Sequence, residues 1–163
     1  MNEFSSLFEV RLAREDDIPY IMDITHEAFE KYTELAGLSS IAALSETYED
    51  VKHDIENKIV LIAFSDSTPV GSVRVEVFDD NTAYLSRFGV KVTSQNNGIG
   101  KSIMNLVDRI MIKKGVKSIS LDTSSKITSL IRFYYGRGFY IDSTDKSRGY
   151  VRAHLIKEYE PGM

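Results

Sequence analysis

The sequence predicts an α/β protein built on one mixed sheet, mostly antiparallel, with a single parallel crossover and helices on both faces. Three observations predict it. Three apolar strand patterns follow one another across short turns between residues 59 and 92, which reads as an antiparallel meander. A helix-period pattern then lies between two strand patterns over residues 83–122, which reads as a strand–helix–strand crossover. Further helical patterns stand before and after these segments, enough to cover both faces.

The elements follow in order. Phe8–Leu12 alternates enough for a first strand. Asp16 and Asp17 ahead of Pro19 signal a helix start. Ile18, Ile21, Met22, Ala28, Phe29 and Tyr32 then share one helical face, broken by Gly37. A second helix is expected to carry Ile41, Leu44, Tyr48, Val51 and Ile55, with a solvated acidic face at Glu46, Glu49, Asp50 and Asp54. Ile59–Phe64 is a short apolar strand, and Asp66–Pro69 a turn. Val73, Val75 and Val77 alternate with Arg74 and Glu76, so residues 70–78 read as a half-buried strand. Asp79–Asn81 is a hairpin turn, and a fourth strand runs from about Ala83 to Val92. A polar loop leads into a helix with Ile99, Ile103, Leu106, Val107, Ile110 and Met111 on one face, ended by Gly115. Ser118–Asp122 is a strand. Ile127, Leu130, Ile131 and Tyr134 share the face of a short helix, and 139–141 and 150–156 are two last strands.

Composition narrows the function. The 163 residues fit one domain over 1–163, with no linker or repeat. Twenty basic against 24 acidic side chains give a net charge of −4, which argues against duplex nucleic acid as a partner. The longest apolar run, Ile59–Phe64, is too short to cross a bilayer, and MNEFSSLFEV lacks a secretory pattern, so a soluble cytoplasmic protein without membrane contact is expected. With no cysteine, thiolate nucleophiles and cysteine-ligated metals are excluded. His26, His53 and His154 show no metal-ligand spacing, and no metal is expected.

The most informative stretch is Gln95-Asn96-Asn97-Gly98-Ile99-Gly100-Lys101-Ser102, between a strand and an amphipathic helix. The first N–H groups of a helix lack internal partners, and its dipole favours an anion there. Glycines let a phosphate approach the backbone. A nucleotide P-loop would need glycine where Gln95 stands, and a dinucleotide fingerprint would need it at Ile103. The pattern Q/R-x-x-G-x-G/A, in contrast, is complete from Gln95 to Gly100. Downstream, Phe133-Tyr134-Tyr135-Gly136-Arg137-Gly138-Phe139 fits F-Y-x-x-x-G-F.

These two motifs, in this order and within this succession of elements, resemble the GNAT superfamily of N-acetyltransferases. The resemblance covers residues 10 to 156. It implies an acyl-CoA N-acyltransferase fold and acetyl-CoA as co-substrate. It implies that the pyrophosphate meets the N–H groups from Asn96 to Lys101, including Gly98, Ile99 and Gly100, with the Gln95 and Lys101 side chains and Ser102 nearby. Val90 and Val92 would hold the pantetheine arm through their backbone. A proline is common in the family where Val92 stands, and a basic residue where Gln95 stands, so this loop has one cation fewer.

Acetyl transfer from a thioester to an amine needs a neutral amine, a stabilised thioester oxygen and a proton for the departing thiolate. By the resemblance, the general acid falls on Tyr134, which the helical pattern turns toward the sheet. Tyr135 is expected at the rim. Glu76, facing outward on the third strand, is the candidate base, while Ser86 and Arg87 are candidates for positioning substrate. Without cysteine there is no acetyl-cysteine intermediate, which favours direct attack in a ternary complex. A non-catalytic acyl-CoA-binding module of the same fold is the alternative, against which Tyr134 argues. A P-loop nucleotide binder would show magnesium-dependent ATP binding. The acceptor is a small-molecule or peptide amine; the acidic run 46–50 favours a cationic amine or polyamine. A homodimer is open, dimers being common in the family.

Overall fold

The computed structural model describes residues 8–95 and 97–160. It contains seven strands and four α-helices: β1 (Phe8–Leu12), α1 (Ile18–Ala36), α2 (Tyr48–Asn57), β2 (Ile59–Ser65), β3 (Thr68–Val77), β4 (Thr82–Val90), α3 (Ile99–Lys114), β5 (Ser118–Ser124), α4 (Thr128–Gly136), β6 (Tyr140–Asp145) and β7 (Arg152–Glu158). The sheet order is β1-β2-β3-β4-β5-β7-β6. Among the described residues, only the β4–β5 pair is parallel. The expected element order and crossover are both present.

Alternation along the strands divides the core in two. Leu61, Val73, Val75, Ala83, Leu85, Ile119 and Leu121 point to one face, where α3 packs Ile99, Ile103, Met104, Val107 and Met111. Val60 and Ile62 point to the other, against Ile18, Ile21 and Ile24 of α1 and Val51 of α2. Each of the buried Val, Leu, Ile and Met side chains among these contributes roughly 1.5–3 kcal/mol. Asp17 fixes the start of α1. It accepts two bonds from Arg11, at 2.7 and 3.0 Å, and one from the Arg14 N–H at 2.8 Å. Gly37 ends the helix with φ +75°.

The structure corrects several expectations. The second helical pattern is two pieces: a 3-10 turn, Ala42–Ser45, and α2. Glu46 is extended, and Thr47 and Asp50 cap one another reciprocally, so the α-helix restarts after them. Strand β3 is not half-buried. Residues 70–75 are buried on both faces, and Arg74 has 0% exposure. The helices over that face hide what alternation alone reads as a solvent side. The acidic face is likewise not all solvated, because Glu46 and Asp54 both bond to Arg74. Strand β4 ends at Val90, and Val92–Ser94 forms a 3-10 turn. The β2–β3 turn centres on Asp66 and Ser67, both with positive φ, so Pro69 falls inside β3. The last two strands lie one to two residues later than expected at their starts and run past Ile141 and Ile156.

Candidate active site

The site begins where β4 and β5 part. Their parallel ladder stops at Tyr84↔Ser120, while β5 continues to pair with β7 as far as Ser124↔Arg152. The edge of β4 from Leu85 to Val90 therefore has no ladder partner on β5. Such a strand edge offers free main-chain groups to a ligand. On its other side β4 carries a bulge. Ser72 pairs with Gly89 and Arg74 with Ser86, so Val73 stands opposite both Arg87 and Phe88. Arg87 has φ +53°, a left-handed conformation that costs a non-glycine residue roughly 1–2 kcal/mol.

Two cavities meet at this opening. One, of about 390 Å³, lies between α1, the end of β4 and the start of α3. Val90, Gln95, Gly98, Gly100 and Lys101 line it. Gly98 caps α3 with φ +94°, which a side chain would strain. A Cβ on Gly100 would press on Phe88 at 3.2 Å and Phe133 at 3.4 Å, two rings stacked 5.5 Å apart. The glycines thus keep the helix start open and let it sit close to the aromatic wall. The Ile99 N–H reaches only the Asn97 side chain, at 3.4 Å, and the first α-helical bond is Ser102 N–H to Gly98. The first turn of α3 can accept an anion through its N–H groups. Residues present here fit a phosphate-bearing group: a helix N-terminus, two glycines, and an exposed Lys101.

Other predicted positions stand differently. The Val92 N–H donates to Glu27 at 2.8 Å, and Val92 is exposed outside the cavity wall. The Gln95 side chain donates to the Val90 carbonyl at 3.1 Å, tying the loop to the strand end. Asn96 lies outside the described residues.

The second cavity, of about 460 Å³, enters the wedge between β4 and β5. Phe29, Tyr32, Phe88 and Leu130 border both cavities, so the two adjoin. Tyr134 lines the second one from α4. Its ring is 4% exposed and meets Phe139 and Phe133 edge-on, at 5.6 and 5.5 Å. Burial pushes its phenol well above the usual value, with the neighbouring Tyr32 adding to the effect. The Tyr134 hydroxyl has no hydrogen-bond partner among the described residues, yet it is not sealed in. The Tyr32 oxygen, in contrast, already accepts the Ser124 N–H at 2.8 Å. Tyr135 is exposed, as expected. Glu76 lines this cavity from β3 and has no ion-pair or hydrogen-bond partner among the described residues.

Several residues at this cavity escape sequence reasoning. Tyr84 donates to Asp122 at 2.7 Å across the base of the wedge. The other Asp122 oxygen meets His154 Nδ1 at 2.9 Å. A carboxylate only accepts, so His154 carries its proton on Nδ1. Burial and then this carboxylate push the Tyr84 phenol up to about 12. Arg152 stands 3.9 Å from Asp122 and 3.5 Å from Asp145. Tyr84, Arg152 and His154 lie 30 to 38 residues from Asp122 in sequence, and only the β4–β5 and β5–β7 registers bring them to it. Tyr32 carried a faint signal as the polar end of an apolar helical face; Asp122 and His154 carried none.

Residues 19–139 match the acetyltransferase (GNAT) family. Spermidine N(1)-acetyltransferase of Thermoplasma acidophilum is 28% identical over 151 residues, covering 85% of this chain and 92% of its own. The PaiA N-acetyltransferase of Thermoplasma acidophilum, solved in complex with coenzyme A, superposes with a TM-score of 0.82 at 24% identity, over 94% of this chain and 99% of that one. The ribosomal-protein-S18-alanine N-acetyltransferase of Escherichia coli superposes with a TM-score of 0.78 at 12% identity, over 96% of this chain and 99% of that one. These structures share the fold. With the family match spanning everything from α1 through the Tyr134 helix, the chain belongs to the acetyltransferase (GNAT) family.

Proposed function

We propose that this chain, by its family an acetyl-CoA-dependent N-acetyltransferase, acetylates a polyamine bound in the wedge between β4 and β5. One observation carries the reading: the unpaired edge of β4 stands where a phosphate-accepting cavity adjoins a second cavity containing Tyr134. Acetyl-CoA would enter from the α3 side, with its phosphates at 97–101 and its thioester at the β4 edge. The acceptor would enter from the other side.

The reaction follows from those positions. The acceptor ammonium first loses a proton to water or to Glu76. Its nitrogen then attacks the thioester carbonyl carbon, and a free β4 N–H stabilises the oxygen as it gains charge. As the tetrahedral adduct collapses, its nitrogen releases its extra proton to solvent, the amide forms and the C–S bond breaks. The thiolate takes the Tyr134 proton, and solvent restores the phenol. A phenol already holds its proton at neutral pH, and burial pushes its value further in that direction. The same dry surroundings also make the thiolate a stronger base than in water, which keeps the transfer balanced.

The polyamine assignment is supported by the spermidine acetyltransferase relative and by Glu76, a carboxylate at the cavity with no internal partner. The other carboxylates are engaged: Asp54 with Arg74 and Lys58, Asp122 with Tyr84 and His154. One observation favours a second reading. Arg148 also lines this cavity, exposed and without a hydrogen-bond or ion-pair partner among the described residues, and would suit an amine that bears a carboxylate. Thiol release from acetyl-CoA, followed across spermidine, putrescine, free amino acids and short peptides, tests both. Turnover with spermidine supports the polyamine reading. Turnover confined to carboxylate-bearing amines replaces it with the second. Acetyl-CoA binding without turnover on any amine would reduce the chain to a binding module.

A further inference from the structure

Glu46 links the 3-10 turn after α1 to strands β3 and β4. It directly follows the 3-10 turn Ala42–Ser45, and Ile41, Ala42 and Ala43 wall the acceptor cavity. Its carboxylate accepts both terminal guanidinium nitrogens of Arg74, one of them at 2.8 Å. One of its oxygens also accepts Arg87 Nε at 3.0 Å. Arg74 is completely buried and is also held by Asp54 at 2.9 Å, so it is a fixed post. Arg87 is the bulge residue with positive φ, on the strand whose free edge faces the wedge. A buried cation therefore orients a carboxylate, and that carboxylate grips the side chain of the one strained residue in β4.

We infer that Glu46 and Arg87 are positioning residues: their ion pair holds the β4 bulge in its left-handed conformation and so sets the strand edge against the acceptor wall. This rests on the acetyl-transfer reading above. Neither residue needs to touch a reacting atom. If the bulge relaxed toward ordinary β geometry, every residue from Phe88 to Val90 would shift register against the cavity wall.

Glycine supplies the test, because it adopts positive φ without strain. Arg87→Ala removes the grip and keeps the strain. Arg87→Gly removes both. Arg87 is partly exposed, so both variants are expected to fold. Each is assayed for kcat, for acceptor KM and for acetyl-CoA affinity by calorimetry. The inference predicts a kcat at least tenfold lower in Arg87→Ala, with acetyl-CoA affinity weakened several-fold as well, since Phe88, Gly89 and Val90 also line the helix-start cavity. Arg87→Gly should recover several-fold in kcat over Arg87→Ala. Glu46→Gln should behave like Arg87→Ala, and adding Arg87→Gly to it should raise kcat again. Equal kcat in the alanine and glycine variants overturns the inference, whether both match the parent or both fall together with a raised acceptor KM. The latter pattern would make Arg87 a direct acceptor contact. Absence of turnover in the parent protein would instead strike the acetyl-transfer reading, so the two failures are distinct.

Discussion

In the proposed mechanism the Tyr134 hydroxyl is the single group on which most depends. Its ring is packed by Phe88, Phe133 and Phe139, so removing the hydroxyl leaves the packing intact. Tyr134→Phe is therefore expected to lower kcat by about 10²–10⁴-fold, the usual worth of a positioned acid, with acetyl-CoA affinity unchanged in a calorimetric titration. Unchanged turnover would remove Tyr134 from the mechanism. Its pH dependence has a definite sign. The phenol must be protonated to act, and burial raises its value above that of a free phenol. Loss of kcat through this group therefore sets in only above pH ~10, the free phenol value. An alkaline limb well below that, present in the parent and absent in Tyr134→Phe, would contradict the assignment. Glu76→Gln should raise KM for a polyamine several-fold, while kcat at saturation changes less.

Among the elements, the start of α3 and the start of α1 carry separate predictions. Gly98→Val forces a β-branched side chain into positive φ at the helix cap, and should raise KM for acetyl-CoA at least tenfold. An unaltered KM would show that the phosphates bind elsewhere. At α1, Asp17→Asn loses charge-assisted bonds worth about 2 kcal/mol. For a chain of this size that corresponds to a fall in Tm of about 6 °C. The Arg11 guanidinium holds the Asp17 carboxyl below its ordinary value. Its contribution is thus present above that value and fades as pH falls through the depressed one. The stability gap between parent and Asp17→Asn, measured by denaturant titration, should be full at neutral pH and close under acid conditions.

What the sequence reveals and conceals also separates by element. Helices α3 and α4 are legible because their apolar faces repeat at helical spacing and glycines mark their limits. The candidate phosphate loop is legible because an anion site of this kind requires glycines at set positions next to a helix start. Arg74 is not. Alternation assigns it to a solvent face, and only the tertiary covering by α1 and α2 buries it, with Glu46 arriving from 28 residues away. The Tyr84–Asp122–His154 chain is hidden for the same reason, since strand register is a property of the whole sheet. The ladder end at Tyr84, which opens the wedge, has no local signature at all.

Taken as a whole, the molecule sets two adjoining cavities against one sheet, with the Tyr32 phenol bordering both and Tyr134 lining the second. Two substrates can then be present together, and with no cysteine in the chain there is no thiol to carry an acetyl group between them. Initial-rate plots against both substrates should intersect. Parallel lines would indicate a covalent intermediate on another side chain. The most direct measurement is thiol release from acetyl-CoA with spermidine as acceptor, run on the parent and on Tyr134→Phe at matched cofactor occupancy. Amine-dependent thiol release in the parent, largely lost in Tyr134→Phe while acetyl-CoA remains bound, is the predicted result. Bound acetyl-CoA with no amine-dependent release from the parent, across the full set of amines, would contradict it.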